Sequence, residues 1–301
     1  MRSAGGRRND LPRVSVVIPL HNHERFVGAA IESVLGQTVP AAEVIVVDDG
    51  STDGSRDRAV AFREKVRIIP QANQGVAAAR NHGAFVASAP YLAFLDADDL
   101  WLPTKLERQL HCFAADPRLG LVHCGVEEIE EDGRPRGCRL DGREGEVWRA
   151  MLLFEPAILG GGSGVLIPRP IFQQSGGFDL RLSTSADWDL YFRIAARHPV
   201  GFVPEVLVRY RIHGSNMHAN LAAMEHDMLL AYAKAFSEGG PLLRPLRRRA
   251  YGRLHAVLAG SFFSQREYGG FVRHAAQALA LSPANAGRFL GYPGRRWGRP
   301  H

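Results

Sequence analysis

The chain has 301 residues, 46% hydrophobic and 23% charged, which indicates a globular protein and excludes collagen, disordered chains and small disulfide scaffolds. Its formal net charge is +6, but residues 238–301 hold eleven arginines against two glutamates, which leaves −3 on residues 1–237. Because the excess cations lie in the tail and away from the motifs described below, no nucleic acid substrate is expected.

Cysteine usage and apolar run lengths predict the setting. Cys112, Cys124 and Cys138 form no C-x-x-C pair and follow no secretory leader, which is typical of a reduced, cytoplasmic protein. The longest apolar runs fall far short of the ~20 residues that a membrane span needs. The sequence therefore predicts a cytoplasmic protein without a transmembrane segment.

Strand and helix signals alternate along the first hundred residues. Short β-branched and apolar runs predict strands at 14–18 (ended by Pro19), 44–47, 67–69 and 91–95. Apolar stripes at helical spacing predict helices between them, at 24–37, 55–64 and 75–87. This order predicts an α/β fold with a mainly parallel sheet flanked by helices, which binds ligands at the carboxyl ends of its strands.

The pattern changes after residue 100. It predicts helices at 103–115 and 187–196, a polar, glycine-rich loop at 127–146, a glycine turn at 160–164, and strands at 165–167, 201–203 and 206–212. Beyond residue 218 every pattern is helical, at 221–236, 242–263 and 271–281. The predicted domains are a flexible lead-in at 1–12, a catalytic domain at 13–218 and a basic helical extension at 219–301.

The basic extension allows two interpretations. Its arginines recur at helix-like spacings among leucines and Tyr251, at positions Arg244, Arg247, Arg248, Arg249 and Arg253. They could form a solvated helix face, or an interfacial helix that binds an anionic membrane surface.

The strongest local signal is the acidic cluster Asp96-Ala97-Asp98-Asp99, directly after the predicted strand 91–95. Alternate carboxylates that leave a strand end can converge on one divalent cation, and such a cation binds a substrate diphosphate. The alternative is an acidic cap on the helix at 103–115, although three acids in four residues exceed what one cap needs.

A second acidic segment, Asp48-Asp49-Gly50-Ser51-Thr52-Asp53, follows the strand at 44–47. Its carboxylates can accept hydrogen bonds from a base or a ribose, and Gly50 permits close backbone approach. The alternative is an Asx turn that leads into the next helix. No G-x-G-x-x-G follows the first strand, so a nicotinamide oxidoreductase is not expected.

Four segments occur in a specific order: VSVVIPLHN (14–22), DDGSTD (48–53), NQGVAAARN (73–81) and FLDADD (94–99). With GGFD (176–179), ADWDLYFRIA (186–195) and YRIHGSNM (210–217), they resemble the family 2 inverting glycosyltransferases, which have the Rossmann-like GT-A fold. The resemblance covers residues 13–217 and leaves out the helical tail.

The resemblance implies a donor site for a nucleotide-diphosphate sugar. The first-strand loop and the carboxylate at Asp49 would contact the base. The segment from Asn73 to Arg80 would flank the nucleotide-sugar pocket, with Arg80 near phosphate or sugar. His21 is a departure, because the family often has tyrosine there; an imidazole can also stack on a base but buries less area. For Arg80 a surface or helix-capping role is an equal alternative. The corresponding residues are Pro19, His21, Glu24, Asp48, Asp49, Asn73, Arg80 and Asp96.

The resemblance also implies a metal site. Asp96 and Asp98 match the family's D-x-D motif, in which Asp98 would be the direct ligand of Mg²⁺ or Mn²⁺. His213 matches a histidine that completes metal or diphosphate contact in relatives. The expected cofactor is therefore a divalent metal.

Asp187 matches the family's catalytic base, which normally ends a Glu-Asp pair just before a tryptophan. Here the pair reads Ala186-Asp187, so the partner glutamate is missing. Inversion needs one carboxylate that removes the acceptor proton, and Asp187 can supply it. Asp189 is a weaker substitute, and an N-cap of the helix at 187–196 is the structural alternative for Asp187.

The expected function is inverting, metal-dependent transfer of a sugar to an acceptor glycan or lipid-linked saccharide, in polysaccharide, lipopolysaccharide or glycolipid synthesis. The setting would be cytoplasmic, with peripheral attachment to the inner membrane face through the basic tail. Ala186 keeps open a catalytically degenerate protein that only binds nucleotide-sugar. A nucleotidyltransferase would need a glycine-rich, lysine-bearing loop where residues 19–24 stand.

Overall fold

The computed structural model describes residues 13–214, 220–285 and 289, without the side chains of residues 241 and 242. Contacts divide the chain into two compact units, residues 1–148 with 156–217, and residues 149–155 with 218–301. The predicted lead-in at 1–12 and the boundary at 218 lie outside the described residues, so both stay predictions. None of the described helices is both long and apolar enough to span a bilayer.

Strands and helices alternate in the first unit as the sequence predicts. The first part contains β1 (Val14–Leu20), α1 (Val27–Leu35), β2 (Glu43–Asp49), α2 (Ser55–Val60), β3 (Arg67–Gln71), α3 (Val76–Val86), β4 (Tyr91–Phe94) and β5 (Leu100–Trp101). Along the chain there follow α4 (Lys105–Ala115), β6 (Leu121–Glu130), β7 (Pro135–Arg139), α5 (Trp148–Leu152), β8 (Leu166–Pro168), α6 (Arg169–Gln174), α7 (Ala186–Ala195) and β9 (Val200–Ile212). Of these elements, α5 belongs to the second unit apart from Trp148.

The described strands form one nine-stranded sheet in the order β3-β2-β1-β4-β8-β6-β9-β5, with β7 paired to β6. Strands β3, β2, β1 and β4 are parallel, and β6 is parallel to β9, whereas β8, β5 and β7 pair antiparallel to their neighbours. All of β1 is buried, as expected for a strand covered on both faces. The predicted α/β fold is confirmed.

Pro19 lies within β1, where it pairs with Val47 of β2, and does not end the strand as the sequence suggested. The Val17 carbonyl accepts a hydrogen bond from the Leu95 amide, so residue 19, two positions on, faces the same side. The ladder between β1 and β4 ends at Val17 and Phe94. The missing proline N–H therefore costs no ladder hydrogen bond.

The predicted polar loop at 127–146 is in part a β-hairpin, because β6 runs to Glu130 and pairs with β7. Two of the glutamates in this polar segment are paired with arginines of neighbouring strands. Glu127 lies 2.8 Å from Arg209 of β9, and Glu130 lies 3.2 Å from Arg136 of β7. Cross-strand ion pairs let a polar sequence form an edge of the sheet.

The two strands predicted at 201–203 and 206–212 are one strand, β9, with a register shift. Cys124 of β6 pairs with Val203 and the next residue, Gly125, pairs with Val206, so residues 204 and 205 form a bulge. Pro204 lies at this bulge, where a residue without an N–H is tolerated. The strand ends immediately before His213.

Helices make up the second unit apart from short turns. It contains α8 (Leu221–Glu238), α9 (Gly240–Leu243), a 3₁₀ turn at Arg244–Leu246, α10 (Arg247–Ser264), α11 (Tyr268–Leu281) and a 3₁₀ turn at Pro283–Asn285. Asn220 caps α8 by accepting the Ala223 amide at 3.0 Å. The exposed arginines of α10 and the turn before it are Arg244, Arg247, Arg248 and Arg249, whereas Arg253 is half-buried.

Replacement of Gly83 by alanine is expected to lower the free energy of unfolding by about 1–3 kcal/mol. Gly83 packs α3, which carries Arg80, against β1, and a Cβ there would overlap the Val17 side chain. The matched control is Gly28→Ala in α1, where the new Cβ would lie 4.0 Å from Phe62 Cε2 and alanine is a better helix former. Urea denaturation measures both variants, and equal stabilities would contradict the packing argument.

Candidate functional site

The carboxylate of Asp49, at the end of β2, organises the loop that follows β3. Its Oδ1 accepts the Gln71 side-chain amide and the Gln74 backbone N–H, both at 2.8 Å, and its Oδ2 accepts the Gly75 N–H at 2.8 Å. Asp49 is buried. These charge-assisted bonds hold the segment at 71–75 against the end of β2.

Asp48 closes the turn after β2, since its Oδ1 accepts the N–H of Ser51, three residues on, at 3.0 Å. His21, in the loop after β1, lies beside this turn with its Nδ1 2.9 Å from the Asp49 carbonyl oxygen. The amide nitrogen of Asn73 is 3.3 Å from His21 Nε2. The predicted donor-site residues Asp48, Asp49, His21 and Asn73 therefore come together at one edge of the sheet.

Glu24 and Pro19, the other predicted residues of the first-strand loop, have different surroundings. The Glu24 carboxylate accepts the Gly54 N–H at 3.2 Å and thus lies at the N-terminus of α2, where a negative charge is favourable. Pro19 is buried within β1.

Asp96 pairs with Arg80, which projects from α3. Arg80 Nη2 lies 2.5 Å from Asp96 Oδ1, and the Arg80 side chain is only 4% exposed. Burial lowers the pKa of the guanidinium, but the negative charges of Asp96 and Asp187 offset this and raise its pKa above the usual value. The alternative of a surface arginine is therefore wrong, and Arg80 is a buried cation between two acidic groups.

Asp99 is a buried structural residue. One of its carboxylate oxygens lies 2.5 Å from the Ser163 hydroxyl, and the other accepts the Arg211 N–H at 2.9 Å. Burial, together with the charges of Asp98 and Asp96, raises the pKa of Asp99 well above its ordinary value. Asp99 thereby joins the glycine turn at 160–164 to β9 and does not serve as a simple helix cap.

The glycine turn at 160–164 contacts the acidic groups closely. A Cβ at Gly162 would overlap Arg80 Nη2 and lie 2.9 Å from Asp96 Oδ2, and one at Gly161 would lie 3.5 Å from Asp187 Oδ2. The Tyr191 hydroxyl, on α7, donates to the Gly161 carbonyl at 3.0 Å. Burial and then the charge of Asp187 raise the pKa of Tyr191 well above its usual value, so this hydroxyl keeps its proton.

Asp187 is the second residue of α7, after Ala186, and the N-cap position belongs to Ser185. Its Oδ1 accepts the Trp188 N–H at 2.7 Å. Asp189, the weaker candidate, is buried and forms an ion pair with Arg193, whose Nη2 lies 2.6 Å from Asp189 Oδ2. Arg193 also donates to the carbonyl of Gly177, so Asp189 has a structural role.

His213, directly after β9, places its Nε2 2.9 Å from Asp98 Oδ2. Among the described residues, His23 joins them: one ligand atom from each of the three side chains lies within 4.8 Å of the others. Asp96, the first residue of the D-x-D motif, is outside this group. A cavity of about 290 Å³ opens beside the group of His23, Asp98 and His213. Its wall is formed by His23, His213, Glu24, Glu131 and neighbouring residues.

The sequence comparisons identify the family. A model of glycosyl transferase family 2 matches residues 15–158. A glycosyltransferase from Nostoc sp. (strain PCC 7120) is 32% identical over 228 residues, which cover 70% of this chain and 68% of that relative. The chain belongs to glycosyltransferase family 2.

A second relative, an uncharacterized glycosyltransferase from Rickettsia prowazekii, is 33% identical over 208 residues, which cover 68% of this chain and 65% of the relative. The chain thus spans about two thirds of the length of these curated relatives. The fold is similar to that of the mannosyltransferase PcManGT from Pyrobaculum calidifontis, solved with GDP-Man and Mn²⁺. The TM-score is 0.64 at 22% identity, with 96% of this chain and 84% of that chain covered, and it confirms the predicted GT-A fold.

The residues of this family 2 chain suit a divalent metal. Two imidazoles and a carboxylate are a donor set that first-row divalent ions accept. Two adjacent ligand atoms that are each about 2.1 Å from one ion lie roughly 3 Å apart. Asp98 Oδ2 and His213 Nε2 are already 2.9 Å apart. His23 was missed at the sequence level because nothing local distinguishes it from His21, two residues earlier.

Proposed function

We propose that this family 2 glycosyltransferase transfers a sugar from a nucleotide-diphosphate sugar to an acceptor hydroxyl with inversion at the anomeric carbon. The observation that supports this most directly is the convergence of Asp187, Arg80 and Asp96 on the glycine turn at 160–164. Displacement at the anomeric carbon of a sugar requires a general base close to the donor, and here a candidate general base lies together with a buried cation and a D-x-D carboxylate.

Asp187 is the proposed general base. Its carboxylate removes the proton from the acceptor hydroxyl while that oxygen attacks the anomeric carbon from the face opposite the diphosphate. One Asp187 oxygen accepts the amide of Trp188 and thereby orients the other. Because Tyr191 keeps its proton and Asp189 is held by Arg193, neither competes for this role.

Arg80 and Asp96 are the proposed positioning pair of the donor pocket. Arg80 is a buried cation whose charge lowers the electrostatic cost of holding Asp96 and Asp187 close together. The ring of Phe178 lies 5.3 Å from the guanidinium carbon and limits its movement. The nucleotide base of the donor would lie against His21 and Asn73, on the loops that Asp48 and Asp49 organise.

Asp98 and His213 are the proposed protein ligands of a divalent metal, Mg²⁺ or Mn²⁺. Such an ion, when bound, would stabilise the negative charge that grows on the diphosphate leaving group. Asp96 would act toward the nucleotide-sugar and not as a direct ligand, because its Oδ1 is taken by Arg80.

The proposed acceptor is a glycan or lipid-linked saccharide of cell-surface polysaccharide, lipopolysaccharide or glycolipid synthesis. The exposed arginines Arg244, Arg247, Arg248 and Arg249 suit attraction to an anionic membrane surface at the cytoplasmic face. Pelleting with anionic vesicles at moderate salt tests this part of the proposal, and no binding even at low salt would reject it.

Nucleoside diphosphates and nucleotide sugars with Mn²⁺ are expected to raise the melting temperature of the wild type, because they bind only the native state. For one nucleotide the shift should depend on the metal and should shrink in Asp98→Ala. The control is Asp116→Ala, which removes an ion pair with Arg118 and lies outside the donor motifs. No shift for any nucleotide under any metal condition would overturn the donor site.

A protein that binds nucleotide-sugar without turnover is the second candidate. Ala186 favours it, because this residue stands where the family's glutamate is expected and is buried at the start of α7. Substrate-dependent release of nucleoside diphosphate from the donor would exclude this candidate.

A further inference from the structure

We propose that His23 is a third protein ligand of the divalent ion, and that the group His23, Asp98 and His213 makes this enzyme prefer a first-row transition ion such as Mn²⁺ over Mg²⁺. The inference rests on the proposed donor site and extends it. It assigns a role to a residue that the D-x-D motif does not include.

Three separate segments bring the ligand atoms together. His23 lies in the loop after β1, Asp98 follows β4, and His213 follows β9. Their ligand atoms lie within 4.8 Å of one another, with His213 Nε2 only 2.9 Å from Asp98 Oδ2. Small side-chain rotations would bring all three atoms to the roughly 3 Å spacing of ligands that share one ion.

The imidazole rings are held by packing on Phe26. The His213 ring stacks on Phe26 at a centroid distance of 5.3 Å, and the His23 ring meets His213 edge-on at 6.1 Å. The guanidinium of Arg211 covers the Phe26 ring at 4.9 Å. This aromatic support orients two histidines from different loops toward the same carboxylate, which is how a ligand set is kept in place.

The cavity beside the group leaves space for a substrate. His23 and His213 both line the cavity of about 290 Å³, and Glu24 and Glu131 add negative charge to its wall. With three protein ligands on one side, the remaining coordination positions of a bound ion would face the cavity. An ion that takes several more oxygen ligands, as Mn²⁺ does, suits this arrangement.

The chemistry of the ligand atoms determines which metal ion the site prefers. Mg²⁺ takes oxygen ligands and keeps most of its water, so two imidazoles add little to its binding. Imidazole suits Fe²⁺, Ni²⁺, Cu²⁺ and Zn²⁺, and affinity for a nitrogen-containing site rises from Mn²⁺ to Co²⁺ along the first row. Each histidine therefore adds more to the binding of a first-row transition ion than to the binding of Mg²⁺.

The test titrates Mn²⁺, Co²⁺ and Mg²⁺ into the metal-free protein by calorimetry, with and without a nucleoside diphosphate. We expect His23→Asn to weaken Mn²⁺ and Co²⁺ binding by about tenfold or more and Mg²⁺ binding by less than about threefold. Electron spin-echo spectra of bound Mn²⁺ should show nitrogen couplings from two imidazoles in the wild type and from one in the variant.

The matched control is His21→Asn, the same substitution two residues earlier in the same loop. The control is measured without nucleotide, because His21 belongs to the proposed base site, and there it should leave the Mn²⁺ affinity and both nitrogen couplings unchanged. Equal losses in the two variants would show that the loop, and not the ligand, is responsible, and would overturn the inference.

Other outcomes separate this inference from the proposed function. If His23→Asn keeps the full Mn²⁺ affinity and both couplings while Asp98→Ala loses binding, His23 is not a ligand and the donor site stands. If Asp98→Ala also keeps Mn²⁺, or the wild type binds no metal with or without nucleotide, the proposed metal site itself fails.

Discussion

Replacement of Asp187 by asparagine is expected to reduce glycosyl transfer by about 10²–10⁴-fold while donor binding stays within about threefold of the wild type. An amide has the shape of the carboxylate but cannot take the acceptor proton. Its oxygen can still accept the Trp188 N–H, so the start of α7 should be preserved. Single-turnover kinetics with a saturating donor measure the chemical step, and donor titration measures binding.

The matched control for Asp187 is Asp189→Asn, in the same helical turn. It weakens the buried pair with Arg193, so it should lower the melting temperature. The rate per folded molecule should stay within about tenfold of the wild type, because the carboxylate of Asp189 is not free to act as a base. An Asp187→Asn enzyme with a nearly normal rate, or a larger rate loss in the Asp189 variant, would show that the base is another group.

Removal of the buried cation in Arg80→Met is expected to lower the free energy of unfolding by about 3–5 kcal/mol. The guanidinium is 4% exposed, lies 2.5 Å from Asp96 and is also attracted by Asp187. Methionine fills a similar volume but leaves two acidic groups without their positive partner. Urea denaturation of the variant gives the loss directly.

Two further variants test the cause of the Arg80 effect. Arg80→Lys keeps the charge and loses the planar fork, so its loss should be intermediate. Arg118→Met removes an exposed ion pair with Asp116 and should leave the free energy of unfolding nearly unchanged. This explanation would be contradicted if Arg80→Met lost less than about 1 kcal/mol of unfolding free energy, or if the Arg80 and Arg118 variants lost equal amounts. Burial and the two carboxylates would then not determine how much Arg80 contributes to stability.

The glycine turn at 160–164 shows how the site depends on contacts that the motifs do not reveal. The sequence marks it only as a turn, whereas in the structure Gly162 leaves room for Arg80 and Asp96. Trp101 is buried below the turn, and its indole N–H donates to the Ser163 carbonyl at 2.9 Å. The turn and its supports are therefore part of the proposed donor pocket.

Local patterns alone predicted the alternation of strands and helices and the polar residues at the strand ends. Hydrophobic periodicity and β-branching act over a few residues, so β1, β2, β3 and β4 could be predicted without knowledge of their partners. The family motifs then pointed to Asp187, Asp98 and His213. The comparisons confirm the family and the fold, and the roles of these residues stay predictions.

Tertiary structure decided which of these residues meet. The pairing of Asp96 with Arg80, the burial of Asp189 against Arg193 and the approach of His23 to Asp98 depend on where separate elements pack. The hairpin at β6 and β7 was hidden because its glutamates find arginine partners on neighbouring strands. A one-dimensional pattern records the polarity of each side chain but not the partner that balances its charge, and that partner is determined only when distant strands come into register.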